Sequence, residues 1–475
     1  MDTFVLSQLV SLIIITGASI YLYIQRKAFG RKIVCALYLL ILGGIVCVGI
    51  ENYPKYWIRY HLTMDIKEQF VTEQEIEPEA YLKDFHEICD IVESKYALAA
   101  QKGISLKALR EKYSVMVNQA KDNSGYFIAL QRYFAELKNA HTSLIYNSYY
   151  ALAKAEWRCD SLYVTGNLTK LPFKSGDRII SIDGTDALSW RDSMKNYVIA
   201  STEKARNIHT ANYVFSSHID TVRTLRLSRN DSVFQVKVSL SRDGKQQILN
   251  HNKSIRKAEK KEIQETAEKK KKEYLAVLTL SGFTEEETEE FIFKYKKVKD
   301  YPYLILDLRN NPGGLVRNMS KIAALLIKRP YQDEEMIEPS EESFKGKLYV
   351  MIGPYTFSAA EHLASILKES ESAVLVGEET GGDFGTTPLK FRTSQGTYFS
   401  IGYGAPKKTF KGEPREGKGI EPHFRITENA DITNGINILK TTFGQLMNDV
   451  IESKKDMIES KKDSLKGQER FPQRE

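Results

Sequence analysis

Ser358 lies in the stretch GPYTFSAAEHLASIL, residues 353–367, directly after the apolar run LYVMI and directly before a helical pattern. A hydroxyl at a strand-to-helix turn projects beyond the sheet edge, beside N–H groups that have no partner within the helix. Such groups stabilise an oxyanion, and the helix dipole adds positive potential. Upstream, YLILDLRNNPGG at 303–314 ends a second apolar strand in Pro312, Gly313 and Gly314. Paired glycines after a strand allow a ligand to approach the backbone. The N–H groups of Gly313, Gly314 and Ala359 are therefore candidate oxyanion donors for an acyl transfer at Ser358. Taken singly, each motif has a plainer reading: Ser358 as a helix N-cap and PGG as a turn.

The elements that must hold these residues alternate. Strand patterns at 275–280, 303–308, 348–352, 374–376 and 398–401 are interleaved with helical patterns at 285–298, 315–327 and behind Ser358. That order predicts an α/β core with a largely parallel sheet over 274–450. Residues 61–150 read as a helical region, with Tyr81, Phe85, Ile88 and Val92 on one face and Phe127, Leu130, Phe134 and Leu137 on another. Residues 151–250 are β-rich, with LPFKSGDRIISIDG at 171–184 forming a strand between two turn signals. The Lys/Glu-dense run at 251–273 reads as an exposed helix or linker, and the charged tail at 451–475 repeats IESKKD.

Residues 4–24 and 33–50 carry no charge, and QRKAFGRK lies between them. Each apolar run is long enough for a bilayer core of roughly 30 Å. The basic loop belongs on the cytoplasmic side, which predicts a two-span anchor over 1–60 with the rest of the chain on the periplasmic or extracellular side. A buried helical hairpin is the alternative. The net charge of +7 arises from Lys-rich runs without a nucleic-acid motif, and the hydrophobic content of 42% supports a substantial core. Four cysteines show no metal-ligand spacing. A Cys89–Cys159 disulfide and two free thiols are both open on the sequence.

In combination, LILDLRNNPGG, TFSAAE, LVGEETGG and GKGIEPHF resemble, in order and spacing, the serine peptidases of the C-terminal processing (tail-specific) and tricorn-core family. The resemblance covers roughly 274–426. It extends upstream through GDRIISIDG, which is similar to the C-terminal part of a PDZ domain, to KNAHTSL at 138–144. It implies a crotonase-like α/β fold, a PDZ-like domain, and peptide-bond cleavage without a metal or cofactor. Ser358 matches the family's nucleophile. In the tail-specific branch the base is a Lys at a GKG-like turn, where this chain has Asp383; Lys390 is the next Lys and falls in a strand pattern. The tricorn-like branch carries a His, matched by His141, and a Glu before a G-x-x-P word, matched by Glu416. That branch also has a Ser before the His, where this chain has Ala140, with Thr142 and Ser143 as possible substitutes.

Two neighbouring titratable residues read as structural, His362 pointing along its helix and Glu361 as a first-turn acid complementing the dipole, while Glu378 and Glu379 are rival acids at a strand end. The resulting expectation is a membrane-anchored serine endopeptidase of the Ser–His branch. Its catalytic residues are Ser358, His141 and Glu416, and its partners are protein or peptide substrates. The alternative is a non-catalytic, membrane-tethered peptide-binding protein on the same scaffold.

Overall fold

The computed structural model describes residues 75–243, 275–332, 335–404 and 414–425. The two apolar N-terminal segments, the charged linker and the repeating tail lie outside the described residues. Among the described residues no helix is long and apolar enough to cross a membrane.

The first layer is helical: α1 (Tyr81–Lys95), α2 (Leu106–Asn118) and α3 (Asn123–Glu136). The starts of α2 and α3 are fixed by side-chain caps. Ser105 Oγ accepts from Ala108 N–H at 3.2 Å, and Asp122 Oδ1 accepts from Gly125 N–H at 2.8 Å. In α1, Phe85, Ile88, Cys89 and Val92 form a stripe at i, i+3, i+4 and i+7 spacing, all fully buried. Cys89 is buried and Cys159 exposed, and they do not form a disulfide.

After α3 the chain crosses Asn139–His141 into β1 (Ser143–Ile145) and β2 (Tyr149–Tyr150). It then builds an antiparallel sheet from β3 (Ala153–Arg158), β4 (Ser161–Asn167), β5 (Arg178–Ile182), β6 (Thr185–Asp186), β8 (Val222–Arg229) and β9 (Ser232–Ser239). The Asp183-Gly184 turn between β5 and β6 has φ values of 49° and 82°. Two successive positive φ values suit the right-handed twist of a hairpin and favour this dipeptide. Between β6 and β8 lie α4 (Ala187–Met194), α5 (Glu203–His209) and β7 (Ser216–Ser217), which pairs with β2. The β-rich region thus also carries two helices, α4 and α5.

The last part has the predicted parallel sheet. Its strand order is β10 (Leu275–Thr279), β11 (Tyr303–Asp307), β14 (Lys347–Ile352), β15 (Ala373–Gly377), β18 (Phe424–Arg425), and all its pairs are parallel. Helices α6 (Glu285–Tyr295), α7 (Val316–Leu326) and α8 (Ala359–Glu369) bury one face in a core that includes Phe291, Ile322, Leu326, Leu306 and Leu363. A short hairpin, β12 (Tyr331–Gln332) with β13 (Met336–Ile337), follows α7.

One departure from chain order decides the site. Strands β16 (Thr387–Arg392) and β17 (Tyr398–Tyr403) leave the parallel sheet and form a separate antiparallel sheet with β1. Phe399 and Ile401 bury their side chains among Phe134, Leu130 and Tyr133 of α3. Thr397 and Tyr126 both donate to Asp84 Oδ2 at 2.6 Å. An apolar seam and a buried carboxylate therefore join the helical layer to the β16–β17 segment.

Candidate active site

Ser358 sits between β14 and α8, at φ 51° and ψ −118°. This conformation is positive in φ for a side-chain-bearing residue and costs on the order of 1–3 kcal/mol. The surrounding turn holds it. Gly353 N–H donates to Thr356 Oγ1 at 3.0 Å, Thr356 Oγ1 donates to the Leu308 carbonyl at 2.8 Å, and Phe357 N–H donates to the Asn311 carbonyl at 2.9 Å. The Ser358 N–H donates to Glu361 Oε2 at 3.1 Å. Ser358 is the N-cap residue of α8 and shares a capping box with Glu361, so the N-cap reading describes its place but not all of its contacts.

Ser358 Oγ also lies 3.0 Å from His141 Nε2. His141 comes from the loop between α3 and β1, 217 residues away in the chain. Its carbonyl accepts from Ser400 Oγ at 2.8 Å, and the neighbouring Thr142 Oγ1 accepts from Gly402 N–H at 2.7 Å. The β1–β17 seam thus sets the height of the imidazole. A hydroxyl within hydrogen-bond reach of an imidazole is the geometry required for general-base activation.

The opposite ring nitrogen, His141 Nδ1, faces Thr386 Oγ1 at 3.3 Å and Asp383 Oδ1 at 3.8 Å. Asp383 is buried and also accepts from Ser201 Oγ at 2.8 Å and Asn139 Nδ2 at 3.4 Å. Burial pushes its carboxyl upward, and Glu416 adds to that, while the nearby His141, Ser201 and Lys102 oppose it.

Glu416, expected from the sequence beside His141, is instead one step behind. Its Oε1 accepts from Lys102 Nζ at 2.6 Å and Asn139 Nδ2 at 3.0 Å, and its Oε2 accepts from Gly385 N–H at 3.3 Å. No hydrogen bond joins Glu416 to His141 among the described residues. The physical reason is Lys102: its side chain is 8% exposed and its ammonium requires a counter-charge, which the buried Glu416 supplies. Thr386, not Thr142 or Ser143, supplies the hydroxyl beside the imidazole, because Thr142 Oγ1 donates to Asn139 Oδ1 at 2.7 Å and Ser143 Oγ lies 3.1 Å from Ser400 Oγ.

The glycine pair also divides its labour. Gly313 N–H is taken by Asn311 Oδ1 at 2.8 Å, so it has no proton to offer a substrate. Gly313 serves by lacking a side chain. With φ at 93°, a Cβ there would lie 2.8 Å from Ser358 Cβ and 2.9 Å from Ala359 N. Among the described residues no hydrogen bond uses the N–H of Gly314 or of Ala359. These two are the free donors next to Ser358.

Glu361 does more than complement the helix dipole. Its Oε1 accepts from Thr380 Oγ1 at 2.6 Å and Gly382 N–H at 2.7 Å, and its Oε2 accepts from Asp383 N–H at 2.9 Å as well as from Ser358 N–H. One carboxyl therefore joins the Ser358 backbone to the loop that carries Asp383. Burial pushes this carboxyl up to about 8, helped by the nearby Asp383 charge and opposed by the Thr380, Gly382 and Asp383 donors. The i, i+3 placement of Glu361 after Ser358 was a readable capping signal; its reach to residues 380–383 was not.

The remaining acids and bases stand apart. Glu378 and Glu379 face Lys204 at 3.8 and 3.7 Å. His362 packs its ring against Phe384 at 4.4 Å, and Lys390 lies within β16 opposite Ser400.

Residues 274–426 match the model of peptidase family S41. Residues 154–240 match the model described as "Bacteroidetes, Peptidase, S41 family, N-terminal domain". The chain is 29% identical over 163 residues to a carboxyl-terminal-processing peptidase 1, chloroplastic, of Arabidopsis thaliana, covering 31% of this chain and 32% of the relative. It is 30% identical over 178 residues to a probable CtpA-like serine protease of Staphylococcus epidermidis, covering 34% and 35%. The matches thus span about a third of the length of these curated relatives. The crystal structure of mature CPAF has a similar fold, with a TM-score of 0.62 over 79% of this chain and 98% of that one at 15% identity.

Proposed function

From the premise that the chain belongs to peptidase family S41, we propose that it is a serine endopeptidase in which Ser358 is the nucleophile and His141 the general base. The observation that carries this reading is the 3.0 Å approach of His141 Nε2 to Ser358 Oγ. His141, with its proton on Nδ1, accepts the hydroxyl proton at Nε2 as Ser358 Oγ attacks the scissile carbonyl. The resulting oxyanion is met by the N–H groups of Gly314 and Ala359. The imidazolium is steadied by Thr386 and Asp383, and it returns its proton to the leaving amine. Water then enters by the same route and hydrolyses the acyl-enzyme. Glu416 supports the acid indirectly, through Asn139.

The substrates in this reading are proteins or peptides, with the β-rich domain acting as a PDZ-like module that presents or gates them. The apolar segments at 4–24 and 33–50 support a membrane anchor that holds the catalytic part on the periplasmic or extracellular side.

The test uses the full-length chain, an unstructured protein substrate and mass spectrometry of the fragments. Ser358→Ala and His141→Ala each lower cleavage by at least about 10³-fold. Cleavage retained in Ser358→Ala would remove the nucleophile from this scheme.

A further inference from the structure

Ser201 belongs to the stretch between α4 and α5, within the region that matches the family's N-terminal domain. It is 8% exposed. Its hydroxyl has a single proton, and that proton goes to Asp383 Oδ1 at 2.8 Å. The same oxygen accepts the N–H of Ala140 at 3.2 Å, the residue immediately before His141. One oxygen thus touches both the carboxylate that faces the imidazole and the backbone that carries the imidazole.

The stretch around Ser201 is firmly seated. Thr202 Oγ1 donates to the Gly381 carbonyl at 3.1 Å and caps α5 by accepting from Ala205 N–H at 3.1 Å. At the far end of α5, His209 packs its ring 5.0 Å from Tyr355 and 4.9 Å from Phe357, on the turn that presents Ser358. The β-rich domain therefore reaches the site at both its acid and its nucleophile.

We infer that Ser201 is a positioning residue of the peptidase: its hydroxyl sets the spacing between Asp383 and His141 and favours the ionised acid. The inference rests on the reading of Ser358 and His141 as the catalytic pair. It assigns to the N-terminal domain a part in catalysis itself, beyond substrate presentation. A buried carboxylate that loses its only short hydroxyl donor ionises at higher pH, so the active form, with Asp383 charged and His141 neutral, appears at higher pH.

The experiment compares Ser201→Thr with Ser201→Val in the full-length chain. The two side chains are nearly the same shape and differ in the hydroxyl. Turnover of a labelled unstructured protein gives kcat and KM, and the rate of Ser358 modification by a fluorophosphonate across pH gives the acid limb of reactivity. Relative to Ser201→Thr, Ser201→Val shows kcat lower by about tenfold or more, with KM little changed. Its acid limb moves up by about one pH unit. Thr202→Val, a neighbouring hydroxyl deletion without contact to Asp383, lowers the melting temperature and leaves the acid limb in place. Equal kcat and equal acid limbs in the Thr and Val variants would overturn the inference, as would an equal shift in Thr202→Val. Cleavage that persists in Ser358→Ala would instead overturn the underlying reading.

Discussion

Two buried carboxylates compete for the role of catalytic acid, and replacing each by its amide separates them. Asp383 Oδ1 is 3.8 Å from His141 Nδ1. For a carboxylate facing an imidazolium at that distance, with an effective dielectric constant of about 20, Coulomb's law gives roughly 4 kcal/mol. That support exists only once His141 has taken the proton, so it acts on the transition state and not on substrate binding. At about 1.4 kcal/mol per decade, Asp383→Asn lowers kcat by about 10³-fold with KM little changed.

Glu416→Gln acts elsewhere. It leaves the Lys102 ammonium buried without its counter-charge, which costs about 3–5 kcal/mol of stability. In molecules that remain folded, kcat stays within about tenfold of wild type. The double variant Lys102→Met/Glu416→Gln removes both charges and recovers most of the stability. The assay titrates competent sites with a fluorophosphonate, so that kcat is expressed per folded enzyme, and follows unfolding in urea. A 10³-fold loss in Glu416→Gln beside near-normal Asp383→Asn would refute the assignment of Asp383.

Gly313→Ala forces a Cβ to within 2.8 Å of Ser358 Cβ at a φ of 93°. The left-handed backbone alone costs about 1–2 kcal/mol, and the displaced nucleophile lowers kcat by about 10²-fold, read as slower fluorophosphonate labelling at an unchanged far-ultraviolet spectrum. For Glu361, the folded carboxyl is raised to about 8 from an ordinary 4.5. The folded protein therefore keeps a proton that the unfolded chain has lost, and this contribution to stability, full below pH 4.5, is lost as pH rises through 8. Glu361→Gln flattens that segment of the stability curve, measured as urea midpoints at several pH values; an unchanged slope would remove Glu361 as its cause.

Local patterns carried much of this fold. The strand before Ser358, the helix behind it and the paired glycines after β11 are all contiguous in sequence, and each signals its own conformation through period, turn residues or caps. The parallel order of β10, β11, β14 and β15 follows from their alternation with helices. What local pattern did not carry is anything that depends on the return of β17 to β1. His141 needed a family resemblance to be singled out. Asp383 stood out only as the wrong residue for a lysine, since nothing near it in sequence signals an imidazole. Glu416 was attached to His141 by the family resemblance, and its ion pair with Lys102, 314 residues away, has no local signal in the sequence. Gly313 was credited with a donor that Asn311 consumes, a detail of side-chain direction that residue type does not encode.

The seam between β1 and β17 also bears on how the protein comes into being. His141 is translated early, Ser358 217 residues later, and the Glu416 carboxylate that holds Lys102 later still. Closing loops of that length is slow, and no shorter piece of the chain contains all the parts. A nascent polypeptide leaving the ribosome therefore carries the imidazole without its serine, and the site is complete only when the last strands have docked. Long-range assembly thus puts a delay between the synthesis of these residues and the completion of their site.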